Sequence, residues 1–147
     1  MAFFKGQETY SIDAKGRVNI PAKMRRSISP EAQETFTLTR GQEKCIFAYP
    51  LDEWKKYEEK FERLNQFDEE NRFFLRRLLM WSEEVTLDAQ QRIMAPRKLL
   101  EFAEIENKVL IVGMVDHIEL WNPDNFEKYL NGFEASYESV AAKVMNL

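Results

Sequence analysis

Polar and apolar residues alternate along Thr9-Tyr10-Ser11-Ile12 and again along Arg17-Val18-Asn19-Ile20, the period-2 pattern of half-buried strands. Between them, Asp13-Ala14-Lys15-Gly16 reads as a tight turn in which Gly16 takes a positive φ. The unit is expected to be a β-hairpin with Arg17 just past its tip. Pro21 suits the first position of a short helix over residues 22–28. Strands are expected at 36–40 and 45–49. Pro50-Leu51-Asp52 then opens a helix that carries Trp54, Tyr57, Phe61 and Leu64 on one face.

The same order returns in the second half. Val85-Thr86-Leu87 precedes Asp88, and Arg92-Ile93-Met94-Ala95 leads to Pro96 and a short apolar helix through Phe102. Strands at 109–113 and 117–121 match the pair at 36–40 and 45–49. Asn122 and Pro123 are a helix start, and Phe126, Tyr129 and Leu130 align with the Trp54 helix. Order and spacing recur at an offset of 72–75 residues, which marks an internal duplication. Between the copies, Phe73, Phe74, Leu75, Leu78, Leu79, Met80 and Trp81 make residues 68–81 densely apolar. A buried helix is expected there, paired with the Trp54 helix as a hairpin. A last helix over 134–145 has Tyr137, Val140, Ala141 and Val144 at helical spacing.

The chain has 147 residues, enough for one ordinary domain or two very small ones, and 44% are apolar, so a sizeable core is possible. A module of about 50–60 residues is marginal alone, so the halves are expected to pack on each other or on other subunits. Cys45 and His117 are the only residues of their kinds, which excludes an intrachain disulfide and a Cys/His metal cluster. The cysteine usage fits a reducing cytoplasm. Met1 to Gly6 lacks the apolar stretch of a secretory signal, and no run reaches the ~20 residues that cross a bilayer. No Walker A, GxGxxG or HExxH pattern occurs, and no cofactor, metal or small-molecule substrate is implied. Net charge is −4 but unevenly spread. Residues 1–28 carry six cations against two acids, and residues 101–147 carry three against nine. The total argues against a nucleic-acid partner, but a basic segment on an acidic body can still act as a directed phosphate-binding face.

The candidate chemistry lies in the motif Asp-Ala-x-x-Arg-x-x-x-Pro, found at 13–21 and at 88–96. Asp13, Lys15, Arg17, Arg25 and Arg26 form one set; Asp88, Arg92, Arg97 and Lys98 form the other. A guanidinium at a turn can bond a guanine edge or a phosphate in two places. Lys15 would supply a point charge to phosphate, and the Asp four residues before each Arg would hold it in one rotamer. The competing reading is a structural ion pair closing each hairpin, worth only ~0–1 kcal/mol when exposed. A carboxylate dyad of Asp13 and Asp88, and a Cys45–His117 nucleophile pair, are the enzymatic alternatives. Neither names a substrate, no catalytic residue is assigned, and the chain is expected not to be an enzyme. Trp54, Trp81 and Trp121 are read as packing residues.

Residues 11–21 (Ser-Ile-Asp-Ala-Lys-Gly-Arg-Val-Asn-Ile-Pro), with Arg25, resemble the first half-signature of the MraZ family of bacterial transcriptional regulators. Residues 86–96, followed by Leu99-Leu100-Glu101-Phe102-Ala103, resemble the second, and 72–81 fits the segment between them. The resemblance implies an α+β fold of two tandem pseudo-symmetric SpoVT/AbrB-like repeats, residues 7–54 and 83–126. Each is a β-rich unit of swapped-hairpin type with helical hairpins, and the chains assemble into a ring. It implies a cytoplasmic, nucleoid-associated repressor that binds double-stranded DNA at promoter direct repeats. Its target is the cell-division and cell-wall gene cluster that includes its own gene. Asp13, Arg17, Asp88 and Arg92 carry over as motif residues, with the arginines as DNA contacts and Lys15 as basic support beside Arg25; in the second copy Arg97 and Lys98 are the compensating cations. An AbrB-like antitoxin or other protein-interaction module is the alternative. Two departures weaken the second copy: Gln91 stands where the pattern has Gly, and Leu100 where the first copy has Arg25. A left-handed turn at Gln91 would cost up to ~1–2 kcal/mol, or the loop takes another shape. The first loop is therefore expected to be the stronger DNA contact.

Overall fold

The computed structural model describes residues 2–146. Its strands are β1 (Gln7–Ser11), β2 (Arg17–Asn19), β3 (Thr35–Arg40), β4 (Ile46–Pro50), β5 (Glu83–Thr86), β6 (Arg92–Met94), β7 (Lys108–Met114) and β8 (His117–Trp121). The helices are α1 (Ala22–Arg25), α2 (Leu51–Glu62), α3 (Glu69–Leu79), α4 (Arg97–Ala103), α5 (Pro123–Asn131) and α6 (Tyr137–Met145), with a 3-10 turn at Pro30–Ala32. Strands of both halves interleave in one antiparallel sheet ordered β1-β7-β8-β4-β3-β5, while β2 and β6 form a separate two-stranded ribbon. Exchanging β1 with β5, β3 with β7 and β4 with β8 reproduces that order in reverse. The duplication is thus folded about a pseudo-twofold axis that passes between β4 and β8 and between β2 and β6. The register agrees: Phe47 faces Glu119, and Val18 faces Ile93, each residue opposite its own counterpart.

The hairpin expected at residues 9–20 is not formed. β1 pairs with β7, and β2 pairs with β6. Alternation determines which side chains face inward but not which strand lies alongside. A three-residue strand has little to gain from its sequence neighbour. Pairing it with its own duplicate buries Val18 and Ile93 together in the main core, with Ile20, Leu38, Leu99 and Ile118.

The first helix is also shorter than expected, ending at Arg25 and continuing as turns to Ile28. Pro21 stands one position earlier than expected, as the extended residue before the helix, and Pro96 stands likewise before α4. Their fixed φ suits that role equally well. The helix over 68–81 exists but is not buried. Asp68 caps α3 by accepting the Asn71 N–H at 3.1 Å, yet Phe73, Phe74, Leu79 and Met80 are all exposed. It meets α2 through Phe61 and Phe74, with ring centres 6.0 Å apart. Its apolar density forms a surface rather than a core. α6 likewise buries no side chain.

Candidate nucleic-acid interface

Both loops are built by the same device. Asp13 Oδ1 accepts the backbone N–H groups of Lys15 at 3.0 Å and Arg17 at 2.9 Å, and Oδ2 takes Arg17 Nε at 2.5 Å. Asp88 Oδ1 accepts the N–H groups of Gln90 at 2.8 Å and Arg92 at 3.0 Å, and Oδ2 takes Arg92 Nε at 3.0 Å. Each turn closes on the aspartate carbonyl, from Gly16 N–H at 3.0 Å and from Gln91 N–H at 2.9 Å. The Arg17 backbone bond, followed by its guanidinium, holds the Asp13 carboxyl below the usual carboxylate range; Asp88 is lowered in the same way by Arg92 and Gln90. Both are ionised acceptors at neutral pH. The clamp engages Nε and leaves the terminal guanidinium nitrogens for an external acceptor.

Position 16 and its counterpart 91 both adopt the left-handed region, at φ 82° and 64°. The second loop therefore keeps the shape of the first despite its glutamine. Gly16 has a second constraint: a Cβ there would meet the Ala95 carbonyl oxygen at 2.9 Å and Leu100 Cδ1 at 3.0 Å.

On the β2·β6 ribbon, Val18 and Ile93 point into the core. By alternation, Arg17, Asn19, Arg92 and Met94 share the outer face. Arg17 stands opposite Met94, and Arg92 opposite Asn19. The two arginines are diagonal neighbours, about 7–8 Å apart.

The basic side chains are distributed across the axis, contrary to expectation. Ile20 N–H donates to Gln91 O at 3.1 Å, and Arg25 Nε donates to Ile20 O at 3.1 Å. Arg25 therefore flanks the second loop, where it lines an open groove of about 790 Å³ with Arg26, Leu87 and Gln91. Its counterpart Leu100 packs over Gly16 in the first loop. Arg97 flanks that loop from α4, and Lys15 and Arg97 line one groove. Glu101, Glu104 and Glu106 lie on the same side, and Lys44 and Asn125 hold the Glu104 carboxylate. The swap of β2 against β6 is the cause, because it brings each short helix over the other copy's loop. Arg26 stands where α4 has Glu101, so the second loop, not the first, has the more basic neighbour.

The enzymatic alternatives gain nothing from this geometry. Asp13 and Asp88 sit at opposite ends of the ribbon, each bound to its own arginine. Cys45 is buried, and burial, then Glu119 and Glu43, push its thiol far above the ordinary value. His117 is held by Asp116 at 2.8 Å on Nδ1 and by Glu119 at 3.3 Å on Nε2, and packs against the rings of Phe47 and Tyr49. Tyr57 donates to Asp116 at 2.8 Å. Flanking carboxylates at Asp116 and Glu119 were the sequence signal for this cluster. Among the described residues no group of three or more His, Cys, Asp and Glu could hold a metal ion, and no helix is long and apolar enough to cross a membrane.

The family model described as "MraZ protein, putative antitoxin-like" matches the chain twice, over residues 3–77 and 78–146. The chain belongs to the MraZ family. Relatives named Transcriptional regulator MraZ include those of Acetivibrio thermocellus and Halothermothrix orenii. They are 39% and 38% identical, each over 98% of this chain and 98% of the relative. The protein of that name from Natranaerobius thermophilus is 36% identical over 97% of each chain. The two MraZ matches meet just before the end of α3, so each takes in one ribbon strand and one clamped loop.

Proposed function

We propose that the protein is a DNA-binding transcriptional regulator whose DNA contact is the β2·β6 ribbon and the two loops at its ends. The observation that carries this reading is the pair of Asp–Arg clamps, related by the pseudo-twofold axis and set on one outward face. A two-stranded ribbon fits the major groove, and a clamped guanidinium has already lost much of the rotamer freedom that binding would cost. Arg17 and Arg92 contact base edges or phosphates; Lys15, Arg25 and Arg97 add phosphate contacts, and Asp13 and Asp88 position the arginines. The repeats 7–54 and 83–126 each supply half of this surface.

The protein assembles with copies of itself into a ring, and the exposed apolar faces of α3, α5 and α6 are its natural contacts. One clamp pair binds weakly, but linked copies on tandem sites raise avidity by ~10²–10⁴. The sites are direct repeats in the promoter of its own cell-division and cell-wall gene cluster, which it represses in the cytoplasm at the nucleoid. An antitoxin role is the second reading, favoured by the wording of the family description; it predicts a tightly co-purifying toxin. The test is a gel-shift series on the DNA upstream of its own gene. Arg17→Ala is expected to abolish the shifted band while leaving the oligomer intact, and an unchanged band refutes the assignment.

A further inference from the structure

The ribbon's outer face holds two residues that no clamp uses, Asn19 and Met94. They occupy equivalent positions in the two copies, one residue after the buried Val18 and Ile93. Asn19 is exposed, and Met94 is 53% exposed. Each lies directly opposite the other copy's arginine: Asn19 faces Arg92, and Met94 faces Arg17. Directly opposed side chains start about 5 Å apart, and diagonal ones about 7–8 Å. All four therefore emerge within a patch that spans about two base-pair steps at 3.4 Å each.

We propose that Asn19 and Met94, with Arg17 and Arg92, form a reading head whose arginines are symmetric and whose other two positions are not. This inference rests on the DNA reading above. The chemistry of the four groups separates their roles. Clamped guanidinium groups match the O6 and N7 acceptors of guanine, and a carboxamide matches the N6 donor and N7 acceptor of adenine. The Met94 thioether has no donor and suits an apolar neighbour such as the thymine methyl group. The pseudo-twofold axis carries Arg17 onto Arg92 but carries Asn19 onto Met94. The recognised subsite then has paired guanine contacts related by the axis and one adenine contact without a symmetric partner. The head is directional, so one subunit lies on its subsite in one orientation. Direct repeats, rather than inverted ones, are the arrangement such a head reads.

Selection of bound sequences from a randomised duplex library, using the full-length oligomer, tests this. Wild type is expected to enrich an asymmetric motif. Asn19→Ala should lose the adenine preference at one position by about 5- to 150-fold and keep the guanine preferences. Met94→Asn, which gives the head two-fold symmetry, should add an adenine preference at the symmetry-related position. Both side chains lie on the outer face, so melting temperature should stay at the wild-type value. An Asn19→Ala variant that loses affinity evenly with its base preferences intact overturns the proposal, as does a Met94→Asn motif as asymmetric as the wild type. If Arg17→Ala abolishes binding in those same experiments, the DNA reading stands without this refinement. A wild-type selection that enriches no motif overturns both.

Discussion

Gly16 is where backbone strain, packing and the candidate site meet, so its replacement by alanine is a sharp test of the loop geometry. At φ 82° an L side chain costs about 1–2 kcal/mol. The new Cβ would stand 2.9 Å from the Ala95 carbonyl oxygen and 3.0 Å from Leu100 Cδ1. Leu100 can swing aside, but Ala95 O is backbone and accepts nothing closer, so β6 must move. Such overpacking adds about 1–3 kcal/mol. The stiffer unfolded chain returns about 0.4–1 kcal/mol. Gly16→Ala should therefore destabilise the protein by about 1–4.5 kcal/mol, which at this size is roughly 2–18 °C in Tm. The reciprocal change, Gln91→Gly, removes strain of about 1–2 kcal/mol but adds about 0.5–1 kcal/mol of entropy to the unfolded chain, for a net gain of about 0–1.5 kcal/mol. Thermal melts at one protein concentration measure both, since an oligomer's Tm depends on concentration. A neutral Gly16→Ala, or a Gln91→Gly that costs more than about 1 kcal/mol, refutes the argument that both loops share one strained shape.

Two other outcomes follow from the same structure. Burial alone would lower the His117 pKa, but hydrogen bonds to Glu119 and Asp116, with their charges, raise it above 6.5. Its folded value thus exceeds its unfolded one, so this stabilisation is complete below pH 6.5 and is lost as pH rises through the raised value. Tyr49 and Tyr57 also face the cluster, but burial raises their pKa from 10.0, away from that window. His117→Gln should flatten the decline of Tm with rising pH, and an unchanged profile would assign the decline to other groups. Phe73 is 63% exposed on α3, so Phe73→Glu should leave the fold intact and reduce the mass measured by light scattering. An unaltered mass would remove α3 from the assembly interface.

The duplication, the order of its elements and the clamped aspartates were legible because they rest on local spacing. Asp-x-x-x-Arg around a turn fixes its own geometry, so the same loop forms wherever the flanking strands go. Pairing was not local: Thr9-Tyr10-Ser11-Ile12 and Arg17-Val18-Asn19-Ile20 alternate as a hairpin would, yet each finds its partner in the other copy. That exchange also moved Arg25 from the first loop to the second, which no single-copy alignment reveals. The apolar residues of α3 read as core because sequence records hydrophobicity and not what covers it. Gln91 read as an obstacle because propensity gives the cost of a left-handed turn, while the surrounding hydrogen bonds determine whether the cost is met. Asn19 and Met94 carried no signal of their own in the sequence, because only the β2·β6 register sets each beside an arginine.

In the proposed function the paired clamps on the ribbon bind DNA electrostatically and by base contact. Binding of the DNA upstream of the protein's own gene, titrated with salt for wild type and for Arg17→Ala/Arg92→Ala, tests it most directly. Log Kobs is expected to fall linearly with log salt, at a slope near −0.9 per phosphate neutralised. The double variant is expected to lose specific binding at every salt concentration while keeping its Tm and mass. An affinity independent of salt, or a double variant that binds as the wild type does, would contradict it.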